Sequence, residues 1–136
     1  MNSVKFDVST MQTMMLFEKV THVACKDCIL NEGYLFIVPD ALMGKAIGKQ
    51  GVNIKKLESL LKKKVKVVGF VDDISIFVMH LIAPLRASPS FESGVLTLTG
   101  KDHQSRGLLI GRDKKHLDFI TSVVKRYFDV EEVKVV

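Results

Sequence analysis

The sequence contains no apolar run long enough to cross a bilayer, for which a helix needs about 20 predominantly apolar residues. Its most apolar stretch, residues 74–85, is short and is interrupted by Ser75, His80 and Pro84. We therefore expect no membrane among the partners of this protein.

Cysteine is also scarce, since the chain has only Cys25 and Cys28. Two thiols make no disulfide framework, and chains without one are typical of reducing compartments. Asp7 and Glu18 flank the apolar residues near the N-terminus, which argues against a secretory signal peptide. We expect a cytoplasmic protein.

The Cys-Lys-Asp-Cys spacing also occurs in zinc and redox sites. A structural zinc ion needs two further ligands, but the histidines are scattered, at His22, His80, His103 and His116. A redox pair opens a helix, whereas both cysteines fall in a predicted strand, where residues three apart point to opposite faces. We expect no metal and no cofactor, and at least one ordinary buried thiol.

Catalytic patterns are lacking as well, because no Ser-His-Asp, paired-carboxylate or Cys-His arrangement is recognisable. The stretch from Gly44 to Lys49 is not a nucleotide-binding P-loop. It has three residues between its glycines instead of four, and Gln50 stands where Ser or Thr would bind magnesium. The sequence thus gives no support for an enzyme or for catalytic residues.

Positive charge, in contrast, is present and unevenly distributed. The net charge of +5 separates into +7 for residues 44–69, +4 for residues 101–126 and −6 for the remainder. Positive charge clustered on an otherwise acidic chain is typical of proteins that bind a phosphate backbone. A solvated, lysine-rich helix face is the common alternative.

The hydrophobic pattern predicts an α+β unit in the first half of the chain. The predicted elements are a helix to about residue 20, strands at 23–30 and 34–38, helices at 41–47 and about 52–61, and a strand at 65–70. Ser9 or Thr10 would cap the first helix and Asp40 the short one, since such side chains accept hydrogen bonds from free helical N–H groups.

The second half repeats this order, and Ile47-Gly48 matches Ile110-Gly111 at an offset of 63 residues. Its predicted elements are a helix at 74–83 capped by Asp72 or Asp73, an edge strand near Pro89, a strand at 95–99, helices at 101–110 and 115–127, and a strand at 130–136. The apolar stripe Ile54, Leu57, Leu60 and Leu61 is matched by Leu117, Ile120, Val123 and Val124. We expect two domains, residues 1–71 and 72–136.

The loop at residues 48–51 lies in the most basic part of the chain and suits a nucleic-acid backbone. Its two glycines allow close approach, and it leads into a helix N-terminus that favours an anion. Lys49 adds a mobile charge at the loop tip. The predicted contact residues are Lys45, Ile47, Gly48, Lys49, Gln50, Gly51, Val52, Ile54, Lys55 and Lys56.

An Ile-Gly-x-x-Gly motif between two helices, within a strand–helix–loop–helix–strand order, resembles the KH domain. The KH loop clamps about four nucleotides of single-stranded RNA. The extra helix and strand before the motif are similar to the type II form. The resemblance implies that each unit is a three-stranded sheet packed with helices, and that the partner is single-stranded RNA.

Two such units in tandem resemble the NusA family, most of all its short archaeal members. The resemblance covers nearly the whole chain and depends on residues 46–57, 107–112, 125–128 and 133–136. It implies an RNA-binding factor that acts with RNA polymerase in transcription elongation or termination.

The second loop, residues 111–114, departs from the family pattern. Lys114 replaces the second glycine, so a Cβ narrows the approach, and Asp113 adds a carboxylate that repels phosphate. Arg112, Lys114 and Lys115 partly offset that repulsion. We expect weaker RNA contacts here than in the first unit, from Ile110, Gly111, Arg112, Lys114 and Lys115.

Several alternatives remain open at the level of sequence. The chain could serve ribosome assembly or RNA processing, or be a protein–protein adaptor without RNA binding. The run Lys62-Lys63-Lys64 could widen the RNA path or only favour a helix C-terminus. Tyr127 and Phe128 could stack on bases or pack in the core. The same ambiguity between docking surface and core holds for Met11, Met14 and Met15.

Overall fold

A computed structural model describes residues 7–136, and the chain divides into two compact units between Val71 and Asp72. The first unit contains α1 (Val8–Thr21), β1 (Asp27–Leu30), β2 (Tyr34–Pro39), α2 (Met43–Ile47), α3 (Val52–Leu61) and β3 (Val65–Phe70). The second contains α4 (Ile74–Ile82), β4 (Ser88–Glu92), β5 (Val95–Thr99), α5 (His103–Ile110), α6 (Lys115–Tyr127) and β6 (Glu132–Val135).

Each unit has a three-stranded sheet with the same connections. The first strand of each sheet pairs antiparallel with the second, and the second pairs parallel with the third. In the first sheet Tyr34 lies opposite both Leu30 and Val65. The predicted α+β class and the strand–helix–helix–strand repeat are thereby confirmed.

The core of the first unit holds the helix pair α2–α3 in place. Ala46 of α2 and Leu57 of α3 are fully buried in one cluster with Phe17 and Phe36, whose rings stack with centroids 4.3 Å apart. Burial of side chains this size contributes about 1.5–3 kcal/mol each, so the pair is fixed from below while the loop between α2 and α3 projects outward.

The second unit places its aromatic residues in the core. The ring of Phe77 lies 5.6 Å from that of Tyr127, edge to face, and 5.8 Å from that of Phe128. Tyr127 is buried, and Phe128 is half-buried. The packing alternative for these two residues is therefore the correct one.

Helix caps were predicted correctly only in part. Asp73 caps α4, accepting hydrogen bonds from the N–H groups of Ser75 and Ile76. The prediction for α1 was wrong, because Asp7 caps it through the N–H of Thr10 at 2.7 Å. Asp40 is not a cap either, since a single 3-10 turn after Pro39 precedes α2.

The first strand is shorter than predicted, beginning at Asp27 instead of residue 23. His22 ends α1 in a left-handed conformation, and the Thr21 hydroxyl is within hydrogen-bonding distance of both the N–H and the C=O of Val23. These bonds hold the chain in a connection there, so residue 25 precedes the sheet.

Other departures are local. Leu60, predicted on the apolar stripe of α3, is 52% exposed, and Met11 and Met15 of α1 are exposed while Met14 packs against the core. No helix within residues 7–136 combines the length and the apolar character needed to cross a membrane.

Candidate nucleic-acid interface

The first loop turns the chain sharply between α2 and α3. Gly48, Gln50 and Gly51 have positive φ angles of 81°, 57° and 73°. The N–H of Gly48 donates to the carbonyl of Gly44, and that of Gly51 to the carbonyl of Gly48, each at 3.0 Å. The turn leaves Lys49 and Gln50 exposed at its tip.

The two glycines serve different purposes. A Cβ on Gly48 would lie 2.9 Å from the Asn53 side chain and 3.0 Å from that of Val52, so this position requires glycine for space as well as for φ. A Cβ on Gly51 would meet nothing within 4 Å. At Gly51 only the positive φ favours glycine.

A side chain that sequence reasoning missed connects the two helices of the loop. The Nδ2 group of Asn53 donates to the carbonyl of Lys45 at 3.2 Å. In the second unit His116, at the matching position, lies with its Nδ1 2.9 Å from the carbonyl of Leu109. A carbonyl can only accept, so Nδ1 carries the proton. The signal in the sequence is that the second residue of both α3 and α6 is polar and matched at the 63-residue offset.

The surface around the first loop is basic and nearly free of carboxylates. Lys49, Gln50, Val52 and Lys55 line a surface depression of about 360 Å³. The only acidic residue of the segment, Glu58, is half-buried, and its Oε2 accepts a hydrogen bond from the N–H of Val65 at 3.0 Å. Its charge is therefore held against the start of β3.

The predicted contact residues separate into two groups. Six have exposed side chains, namely Lys45, Lys49, Gln50, Val52, Lys55 and Lys56. Ile47 and Ile54 instead pack against the hydrophobic core. The apolar surface beside the loop therefore comes from Val52, which is 55% exposed.

The second loop keeps the backbone shape of the first despite its different residues. Gly111, Asp113 and Lys114 have φ angles of 77°, 54° and 62°, the same pattern as residues 48, 50 and 51. A Cβ on Gly111 would lie 2.7 Å from the Cβ of His116, so this glycine too is required for space. The expected departure is thus one of charge and of an added Cβ, with no change of loop shape.

The side chains of the second loop are presented much like those of the first. Arg112, Lys114 and Lys115 are exposed, whereas Ile110 is half-buried. Asp113 is exposed between Arg112 and Lys114. Neither α3 nor α6 has a side-chain cap, so the N-termini of both helices remain open to an anion.

The two cysteines lie outside this surface and are unreactive by environment. Both are free, Cys28 buried in β1 and Cys25 half-buried before it, which corrects the prediction that both lie in a strand. Burial raises the pKa of Cys25 to about 11 and that of Cys28 to about 12. At neutral pH both thiols stay protonated, the form that neither attacks nor binds metal well. Residues 7–136 contain no group of three side chains placed to hold a metal ion.

Comparison with known proteins supports the assignment of fold and family. Residues 13–79 match the family model of the KH domain. The crystal structure of APE1850 superposes with a TM-score of 0.76 over 96% of this chain and 100% of that one, at 23% identity, which shows a shared fold.

Curated relatives carry the name probable transcription termination protein NusA. The one from Methanocaldococcus jannaschii is 30% identical, over 100% of this chain and 77% of its own. Those from Halococcus morrhuae and Thermoplasma acidophilum are 26% and 25% identical, and over 90% of each chain is matched (93% and 94%; 99% and 97%). Because the match extends over the whole chain, this protein belongs to the archaeal NusA family.

Proposed function

We propose that this protein binds single-stranded RNA through the loop of its first unit and acts, without catalysis, in transcription elongation or termination. The observation that carries the proposal is the loop itself. Its positive-φ turn presents Lys49 and Gln50 at the uncapped N-terminus of α3, on a surface whose one carboxylate is turned inward.

The proposed chemistry divides between backbone and bases. Phosphate oxygens accept from N–H groups of the first turn of α3, which no side chain caps, and Lys49 and Lys55 supply positive charge. Val52 offers an apolar surface for a base in the depression beside the loop. Since lysines displace counterions from phosphate, affinity falls as salt concentration rises.

The setting in transcription is supported by the family, whose members are named for termination. A contact with RNA polymerase is part of this proposal. Affinity-tagged protein purified from cells of the source should carry polymerase subunits. Recovery of ribosomal particles in their place would favour the alternative role in ribosome assembly.

The loop is tested by the double substitution Lys49→Asp and Gln50→Asp. Two carboxylates at the tip repel phosphate, so we expect affinity for an unstructured single-stranded RNA to fall by about tenfold or more at low salt. Fluorescence anisotropy with a labelled RNA measures the change. Asp113 already occupies the position of Gln50 at nearly the same φ in the second loop, so the variant should fold.

A control with the same change in charge uses Lys19→Asp and Gln12→Asp on exposed positions of α1. This variant should bind RNA with nearly the affinity of the unchanged protein. Equal affinities of the loop variant and the control, with both folded by circular dichroism, would contradict the proposed role of the loop.

A further inference from the structure

The exposed face of α3 extends the basic surface well beyond the loop. We propose that single-stranded RNA continues from the loop along this face to the exposed lysine run at residues 62–64, so that α3 is a second backbone track. The inference depends on the proposed RNA binding and adds to it the length and position of the path.

The residues of α3 fall on two sides. Ile54, Leu57 and Leu61 face the core. Val52, Lys55, Lys56, Ser59 and Leu60 are exposed, and so are Lys62, Lys63 and Lys64 just beyond the helix. Lys55 and Lys62 are two turns apart, which is about 10 Å along an α-helix.

The track is continuous with the loop. Lys49 of the loop and Lys55 of α3 line the same surface depression, so a strand held at the loop tip reaches the helix face without leaving basic surface. Glu58 does not interrupt it, because its carboxylate is bonded to the N–H of Val65. The face therefore offers phosphate a row of cations with no exposed acid between them.

Ordinary helix electrostatics explains only one end of this row. Lysines at the C-terminus of a helix interact favourably with the macrodipole, which would account for residues 62–64. Lys55 and Lys56 lie near the N-terminus, where positive charge is unfavourable, and the first turn of α3 has no acidic residue to compensate. A row that runs against the dipole fits an anionic partner outside the helix.

The second unit provides an internal contrast. At the 63-residue offset, Asp118 and Phe119 of α6 occupy the positions of Lys55 and Lys56. Asp118 is exposed, so it places a negative charge between Lys115 and the C-terminal end of α6. The track is thus a property of the first unit, and it is not part of the repeated architecture.

The test compares Lys62→Gln/Lys63→Gln/Lys64→Gln with the charge-matched control Lys19→Gln/Lys101→Gln/Lys134→Gln, whose lysines are also exposed. Fluorescence anisotropy is measured with single-stranded RNAs of random sequence that are 5 and 12 nucleotides long, between 50 and 200 mM salt. The short RNA reaches little beyond the loop, which holds about four nucleotides.

We expect the unchanged protein and the control to bind the longer RNA more tightly than the shorter one. The run variant should lose most of that gain, and its slope of log affinity against log salt for the longer RNA should be smaller by about 2, at roughly 0.7 per phosphate lost. Its affinity for the short RNA should match the control. Lys63→Glu, a single exposed change, should give the same pattern.

Equal affinities and slopes of the run variant and the control at both lengths would overturn the track and leave the loop proposal standing. The lysines would then serve the helix terminus or a protein partner. If the unchanged protein binds neither RNA in a salt-dependent way, the proposed function fails, and the track fails with it.

Discussion

The fourth residue of each loop shows how a glycine can be replaced without altering a turn. Gly51 and Lys114 both have positive φ, and the space beside Gly51 is open. For a residue with a Cβ this conformation costs about 1–2 kcal/mol relative to a right-handed one. Lys114 therefore retains the loop at a cost in stability, whereas Gly48 and Gly111 also satisfy a steric requirement that no side chain could meet.

We predict that Lys114→Gly increases the free energy of unfolding by about 0.5–1 kcal/mol, because the relief of backbone strain exceeds the added entropy of glycine in the unfolded chain. Gly51→Lys should decrease it by a similar amount. Urea unfolding followed by circular dichroism measures both. Lys115→Gly, one residue into α6, is the control and should destabilise by about 1 kcal/mol. A loss of stability in the Lys114 variant would refute the strain argument.

At the scale of elements, local signals succeeded where the chain decides its structure locally. The helix–loop–helix segments, the strand at residues 34–38 and the cap at Asp73 were predicted correctly, since periodicity and capping act within a few residues. The cap of α1 and the start of β1 were not, because several polar residues compete near residue 7 and a Thr21 hydrogen bond holds the chain out of the sheet. Leu60 is exposed although its match Val123 is buried, so equal spacing did not guarantee equal burial.

The hydrogen bond from Asn53 to Lys45 joins α2 to α3, and its loss should loosen the loop. We predict that Asn53→Ala lowers the free energy of unfolding by about 1 kcal/mol, the usual net value of such a bond. RNA affinity should fall with it. Asn53→His should retain most of both properties, because His116 makes the equivalent bond in the second unit. Chemical denaturation and anisotropy measure the two effects, and an unaffected alanine variant would show that the bond has no role.

At the scale of the whole molecule, the total charge of +5 says little and its distribution says much. The two positive segments coincide with the two loop–helix segments, and the remainder is acidic. Both loops share one backbone shape, so any difference in RNA binding between them arises from charge and from the Lys114 Cβ. The first loop has no carboxylate at its tip, whereas the second has Asp113.

We therefore predict that the first unit contributes more to RNA affinity than the second. Lys49→Asp/Gln50→Asp and Arg112→Asp/Lys114→Gln each change the net charge by −3 at equivalent loops. The first pair should weaken binding of a 12-nucleotide RNA several-fold more than the second, because the row of lysines along α3 has no counterpart in α6. Equal losses, measured by anisotropy at the same salt concentration, would mean that the two units share the RNA evenly.

The sequence by itself determined the α+β class, the repeat, the position of both loops and the partition of charge, because periodicity, glycine spacing and composition are local properties of the chain. Only the tertiary structure decided which residues share a surface. It turned Ile47 and Ile54 into the core, bonded Glu58 to the start of β3 and left Lys55 facing outward with Lys49. The direction of a side chain depends on packing against residues distant in sequence, and no local pattern carries that information.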